Sequence, residues 1–194
     1  MNYRTTEEIR AAAVKILAGM QFDDMDGENE SISGYRSLIH GDAPIIKSFG
    51  SDEEEADYIA QYLRSILKRG DELKNVCLAA KSAKLIKRYT WLLKARDISC
   101  VELGKSKDDR SVEGLRISSM HRIKGLEFNH IIIAGADNNT IPQRSLFKPD
   151  MDEDQKKEVE KMERCLLYVA MTRAKMTALI TAPGPMSKFL IENE

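Results

Sequence analysis

Apolar residues recur along the chain in two alternating patterns. Segments with apolar positions three and four residues apart predict helices, the first beginning at Thr5 or Thr6 and ending near Gly19. The other predicted helices cover residues 52–69, 82–95, 153–173 and 186–192. Short apolar runs predict strands at residues 44–49, 75–80, 98–103, 115–119, 128–135 and 176–182. Strands that alternate with helices indicate one α/β domain with a mostly parallel sheet flanked by helices.

The composition is that of an ordinary folded domain. Hydrophobic residues make up 42% and charged residues 31% of the 194 positions, which is enough to build a core. No stretch approaches the ~20 apolar residues of a membrane span, and no leader precedes the first helix. We therefore expect a cytoplasmic protein with no membrane partner. The net charge of −1 does not by itself predict a nucleic-acid partner, so DNA binding would have to come from local charge.

The cysteines and histidines do not form a metal or disulfide pattern. The three cysteines, Cys77, Cys100 and Cys165, are far apart, and an odd number disfavours a disulfide framework. Cys77 and Cys165 have apolar neighbours, which predicts small buried side chains. The three histidines show no ligand spacing, so no metal site is predicted. Residues 20–43 are acidic and then rich in glycine and serine, which predicts a surface loop.

The glycines nowhere form a phosphate-binding loop of the G-x-x-x-x-G-K-[ST] kind, so a self-contained nucleotide hydrolase is hard to defend. One segment suited to phosphate lies just before the first helix and reads NYRTT. Tyr3 can stack on a base, and Arg4 beside it can hold a phosphate oxygen by a charge-assisted hydrogen bond. The alternative is an aromatic ring packed on the helix next to a solvated arginine.

A second segment, SSMHRIKGLEF, follows a predicted strand. Ligands of parallel sheets bind at the carboxyl ends of strands, where this segment starts. It gathers hydroxyls, a histidine, cations and a carboxylate, of which we single out Ser118, Ser119, His121, Lys124 and Glu127. The alternative is a basic loop in which the glutamate caps a helix.

A third segment, CLLYVAMTRAK, ends the long helix. Most of it has the spacing of core residues, but Arg173 closes the apolar run at the edge of the sheet. The alternative role for this arginine is to satisfy the negative end of the helix, an effect of ~0.3–1 kcal/mol.

Taken in order, NYRTT, HRIKGLEF and LLYVAMTRAK resemble motifs IV, V and VI of the UvrD/Rep family of superfamily 1 DNA helicases. SFGSDEEEADYIAQYL and IIIAGADNNTIP also follow the family pattern, so the similarity covers nearly the whole chain. The resemblance implies a three-layer RecA-like fold, related to the P-loop NTPases. It also implies that residues 1–194 are the second, C-terminal motor domain and a fragment of a longer chain.

In that family two RecA-like domains enclose ATP, and the first supplies the phosphate loop and the Mg²⁺ carboxylates. The resemblance therefore implies that Arg4 and Arg173 reach the γ-phosphate from the second domain, where such a group is worth ~10³–10⁵ in rate. It implies that Tyr3 stacks on the adenine and that Glu127 bonds the ribose or helps to order the cleft. The residues implied to link single-stranded DNA to the nucleotide are Ser118, Ser119, His121 and Lys124. We expect Arg4 and Arg173 to converge at the carboxyl edge of the sheet.

Two departures from the family pattern stand out. A short polar turn, GKSKDDRSVEG, occupies the interval where processive members carry a large accessory insertion. Lys81 stands where many relatives have an arginine, and a lysine lacks the planar fork that grips phosphate. The accessory domain is thus predicted to be absent, and a third phosphate contact is left open.

The leading hypothesis is the motor half of an ATP-dependent single-stranded-DNA translocase or helicase, which hydrolyses ATP only within the longer polypeptide. One alternative is a catalytically idle α/β interaction module derived from a helicase. Another is a self-contained protein that binds a small phosphate ligand. ATP binding by the isolated chain separates the last alternative from the first, because the motor hypothesis predicts weak binding and no ATPase.

Overall fold

A computed structural model of the chain describes residues 5–18, 20, 37–104 and 108–191. The helices are α1 Glu7–Ile16, α2 Asp52–Lys68, α3 Ala83–Lys94, α4 Glu153–Met171 and α5 Lys188–Ile191. The strands are β1 Ile45–Phe49, β2 Val76–Ala80, β3 Cys100–Glu102, β4 Leu115–Ser119, β5 Phe128–Ile133 and β6 Ala174–Pro183. Tyr3, Arg4 and most of the loop predicted at residues 20–43 lie outside the described residues.

The strands form one sheet in the order β1-β6-β5-β2-β4-β3, and every neighbouring pair is parallel. This confirms the predicted parallel sheet. Because all strands run the same way, their last residues share one edge, here called the carboxyl edge, and their first residues share the opposite amino edge. Ser119 ends β4 at the carboxyl edge, whereas Phe128 and Ala174 begin β5 and β6 at the amino edge.

Helices cover both faces of the sheet and create three layers. One face carries a buried apolar cluster with α1, α4 and α5, to which Ile9 and Leu167 belong. The other face carries a cluster with α2 and α3, to which Ile59 belongs. Residues 131–133 of β5 contribute alternately to the two clusters, because successive side chains of a strand point to opposite faces. The predicted three-layer α/β fold is confirmed.

Side-chain caps define where the helices begin. The Thr6 hydroxyl accepts a hydrogen bond from the Ile9 amide at 3.4 Å, so of the two predicted starts of α1 it is Thr6 that caps the helix. Ser51, Ser82 and Asp152 cap the next three helices in the same way. Within the described part of the chain, no helix has the length and apolar character needed to cross a membrane.

The cysteines behave differently from one another, although all three are free thiols. Cys77 is buried in β2, as predicted, and burial raises the pKa of its thiol. Cys165 is only half-buried on α4, so the prediction of a buried side chain is wrong for it. The reason is its position on the helix face that borders a cleft rather than the face that meets the sheet.

Candidate functional site

The residues singled out in the sequence lie at two opposite edges of the sheet. Ser118 and Ser119 end β4 at the carboxyl edge, and the chain then crosses to the amino edge, where Glu127 immediately precedes β5. Arg173 lies between the end of α4 and the start of β6, also at the amino edge. The expectation that Arg173 lies at the carboxyl edge is therefore wrong. A helix that connects parallel strands returns the chain to the amino edge, so its last residues lie there.

Glu127 and Arg173 are brought together at this amino edge. The Phe128 amide donates to the Arg173 carbonyl at 3.1 Å, which sets the two strand starts side by side. The Glu127 carboxylate pairs with the Lys175 ammonium at 3.1 Å. Arg173 Nε donates to the Val169 carbonyl at 3.1 Å, so the guanidinium also serves the carboxyl end of α4, as the alternative interpretation proposed. The Glu127–Lys175 ion pair and Arg173 thus belong to neighbouring residues at the starts of β5 and β6.

The start of α1 lies at the same edge. Thr6 borders a depression of about 470 Å³ that is also lined by Lys175, Met176 and Thr177 of β6. Thr5 and Thr6 are both buried, so this end of α1 is held in place. Arg4 and Tyr3 directly precede Thr5 outside the described residues, and their contacts stay a prediction.

At the carboxyl edge the four residues predicted to contact DNA are not equally accessible. Ser118 is only 1% exposed, and its hydroxyl is buried without a hydrogen-bond partner. The expectation that Ser118 contacts DNA directly is therefore wrong, because its side chain is buried inside the domain. Ser119 is half-buried, whereas His121 and Lys124 are exposed. The two exposed side chains border a cleft of about 250 Å³ beside Cys165 and Val169 of α4.

Lys81 stands where relatives are expected to carry an arginine, and its side chain pairs with a residue inside the protein. Its ammonium forms a buried ion pair with Glu163 of α4. The backbone N–H of Gln143 donates to the same carboxylate at 3.0 Å. Sequence reasoning missed Glu163, although its position midway between the buried residues Val159 and Leu167 of α4 was a usable signal. Lys81 does not offer a third phosphate contact in this structure.

A polar network that the sequence reading also missed surrounds His130 near the amino edge. Its Nε2 lies 2.9 Å from the Asp71 carboxylate, and its Nδ1 lies 2.7 Å from the Thr177 hydroxyl, which Tyr62 also contacts at 2.5 Å. Burial opposes ionisation of Asp71, but hydrogen bonds from Asn129 and other donors outweigh it and lower the pKa of Asp71. The sequence feature that could have indicated this network is a histidine within the otherwise apolar strand NHIII.

Residues 108–114, the described part of the short polar turn predicted in place of an accessory insertion, are held by a fully buried arginine. Arg116 of β4 donates from Nε to Asp108 at 3.1 Å and from Nη2 to the Asp109 carbonyl at 2.7 Å. Its Nη1 donates to the carbonyls of Val112 and Gly114 at 2.7 and 2.9 Å. The described part of the interval, residues 108–114, therefore folds back onto the sheet.

With this geometry in place, comparison with known proteins decides the family. The sequence profile of the UvrD-like helicase C-terminal domain matches residues 1–107 and 92–183, which together span most of the chain. The chain belongs to this family. Membership in the UvrD-like family confirms the resemblance carried by the motif V and motif VI segments.

Individual relatives agree with this membership. YjcD of Bacillus subtilis strain 168, provisionally named an ATP-dependent DNA helicase, is 32% identical over 117 residues, which are 60% of this UvrD-like domain and 14% of YjcD. The ATP-dependent DNA helicase Rep of Salmonella typhimurium LT2 is 26% identical over 163 residues, which are 79% of this chain and 21% of Rep. The chain thus spans about a fifth or less of the length of these relatives.

A solved structure supports the fold. The C-terminal domain of a possible DNA helicase from Lactobacillus plantarum WCFS1 superposes with a TM-score of 0.71 and 21% identity. The match covers 100% of this UvrD-like domain and 95% of that chain. At this identity the match establishes a shared architecture.

Proposed function

We propose that residues 1–194 form the second, C-terminal RecA-like motor domain of an ATP-dependent single-stranded-DNA helicase or translocase. In this proposal the N-terminal RecA-like domain of the same polypeptide supplies most of the contacts to ATP and Mg²⁺. The names of Rep and YjcD as ATP-dependent DNA helicases support it. The absence of a phosphate-binding loop from the sequence agrees with a domain that completes an ATP site built by another.

The observation that carries the proposal is the adjacency of Glu127 and Arg173 at the amino edge, with the start of α1 beside Lys175, the ion-pair partner of Glu127. In the proposed complex Arg173 and Arg4 bind the γ-phosphate, where negative charge develops during transfer. Glu127 bonds the ribose and Tyr3 stacks on the adenine. The buried position of Thr6 next to β6 supports a location for Arg4 near this edge.

The loop that joins β4 to β5 supplies a physical link between DNA and nucleotide. His121 and Lys124 are exposed on it, Ser119 begins it and Glu127 ends it. We assign Ser119, His121 and Lys124 to contacts with the single strand. A shift of the strand would move the loop and, through Glu127, the ATP-facing edge, so domain closure and stepping would be coupled.

Substituting Arg173 in the complete helicase polypeptide tests the ATP assignment. Arg173→Ala is expected to lower the DNA-stimulated ATPase about 10³-fold or more, because the transition-state charge loses its partner. Arg173→Lys is expected to recover only part of the activity, since lysine lacks the planar fork. Arg144→Ala, which removes an exposed arginine, is the control and should leave the ATPase unchanged. Near-normal activity of a folded Arg173→Ala enzyme would support the idle-module alternative.

Calorimetric titration of the isolated chain with ATP and Mg²⁺ tests the other alternative. We expect weak or undetectable binding and no ATPase with or without DNA, because the phosphate loop lies on the other domain. Submicromolar affinity would contradict the motor hypothesis and favour a self-contained phosphate-binding protein.

A further inference from the structure

The outer side of α3 carries an exposed tryptophan among basic side chains. Trp91 is the only tryptophan of the chain and is 68% exposed. The opposite side of α3 is buried against the sheet through Ile86, Tyr89 and Leu93. A single exposed ring does not by itself mark a binding surface, but this indole is free to stack on a planar ligand from solvent, and its surroundings decide what that ligand is.

The basic residues follow the same side of the helix. We use the name α3 basic face for Lys84, Lys87, Arg88, Trp91 and Lys94. Lys84, Lys87, Trp91 and Lys94 recur every three or four residues, and Arg88 adjoins Lys87. At ~1.5 Å per residue this stripe is about 15 Å long, with the indole near its middle. Arg88 forms an ion pair with Asp52 of α2, while the three lysines are exposed. No acidic residue occurs between positions 83 and 94.

The charge of α3 differs from that of its surroundings. The whole chain has a net charge of −1, and α1, α2 and α4 each begin with acidic residues, which suit the positive end of a helix. The first turn of α3 instead holds Lys84, where the helix dipole disfavours a cation. This arrangement costs stability in the free domain and becomes favourable when a polyanion lies along the face.

The position of α3 connects the face to the DNA residues already assigned. Ser82, the cap of α3, follows β2 at the carboxyl edge of the sheet. Ala80, the last residue of β2, is the register partner of Ser119 on β4. The cleft beside His121 and Lys124 lies with α4 on the face of the sheet opposite α3, so a strand that passes Ser119 would reach α3 by turning over the carboxyl edge.

We propose that the α3 basic face binds single-stranded DNA, with its lysines on the phosphates and the Trp91 indole stacked on a base. The inference rests on the proposed function, because it extends the DNA track of Ser119, His121 and Lys124. An acidic peptide would use the lysines but would leave the indole without a planar partner. A single strand uses both, since such sites combine a cationic groove with aromatic stacking platforms.

Because Trp91 is the only tryptophan, its fluorescence reports on this face directly. The isolated chain is titrated with oligothymidylate, with an abasic oligonucleotide of equal length, and with polyglutamate. Binding of oligothymidylate should quench the emission, and the abasic strand should bind without comparable quenching. Equal binding and quenching by polyglutamate would overturn the inference in favour of an acidic protein partner.

Variants separate the α3 basic face from the rest of the DNA track. Because the Trp91→Leu variant lacks the tryptophan, its binding is followed by the fluorescence anisotropy of a dye-labelled oligothymidylate. Trp91→Leu should weaken that binding roughly 5- to 150-fold, the range expected for one stacked base. Neutralising Lys84, Lys87 and Lys94 to glutamine should flatten the logarithmic salt dependence of binding by about 2. The control neutralises Lys15, Lys68 and Lys157, exposed lysines on three other helices, and should have a much smaller effect.

The double variant His121→Ala, Lys124→Ala distinguishes failure of the α3 inference from failure of the DNA contacts in the proposed function. If that variant loses DNA while the α3 variants match their control, the α3 inference is wrong and the proposed DNA track stands. If the unaltered chain binds no oligothymidylate at low salt, both the α3 inference and the DNA contacts of the proposed function are contradicted.

Discussion

Lys81 and Glu163 form a buried ion pair that joins the end of β2 to the middle of α4. Their side chains are only 4% and 5% exposed. The backbone N–H of Gln143 is a third member of this group, because it donates a hydrogen bond to the Glu163 carboxylate. The pair therefore ties the sheet, α4 and the segment before α4 into one unit.

Removing one member of this pair should destabilise the domain strongly. Glu163→Ala leaves the Lys81 ammonium buried without its partner, and we expect a loss of about 3–5 kcal/mol in the free energy of unfolding. The double variant Lys81→Met, Glu163→Leu removes both charges and should lose less than either single variant. Urea denaturation measures the effect. A single variant as stable as the unaltered protein would show that the pair contributes little.

Stability should decline in acid partly because of Asp71. Its pKa is lower in the folded protein than the ordinary value, so its contribution is present above about pH 4, the unfolded value. That contribution is lost as the pH falls and the carboxylate takes up a proton. Asp71→Asn should therefore lower stability at neutral pH and weaken the dependence on acid. An unchanged acid dependence in urea denaturation at several pH values would contradict this assignment.

Gly135 should tolerate no side chain, for two separate reasons. Its φ is +71°, and an added Cβ would lie 3.0 Å from the Tyr89 hydroxyl. We expect Gly135→Ala to cost roughly 2–4 kcal/mol through backbone strain and overpacking together. Gly70, with a φ of +91° and open space around it, is the matched control. Gly70→Ala should show the strain alone, about 1–2 kcal/mol. Equal losses would show that the contact with Tyr89 is relieved at little cost.

Arg116 should control the order of the turn at residues 108–114. Arg116→Lys keeps the charge but cannot supply the guanidinium fork to Asp108 and the carbonyls of this turn. We expect a loss of about 3 kcal/mol or more, because several buried acceptors lose their donor. Hydrogen exchange should accelerate within this turn more than in α4. Uniform acceleration across the chain would indicate a general loss of stability instead.

Much of the fold could be predicted because helix starts and strands depend on residues close together in the sequence. Caps such as Ser51 and Ser82, and the apolar runs of β2 and β5, depend on neighbours in the chain. The site was predicted less completely. Residue types within one segment indicate phosphate or DNA chemistry, but they do not reveal that Ser118 is buried or that Lys81 already has a partner.

By itself, the sequence determined the alternation of strands and helices, the parallel sheet and the family, because each depends on spacing and motif order along the chain. Only the tertiary structure decided that Glu127 and Arg173 meet at the amino edge and that Glu163 reaches Lys81. Those contacts join residues tens of positions apart. They depend on the direction in which each connection crosses the sheet and on which faces then become buried, and local pattern contains neither.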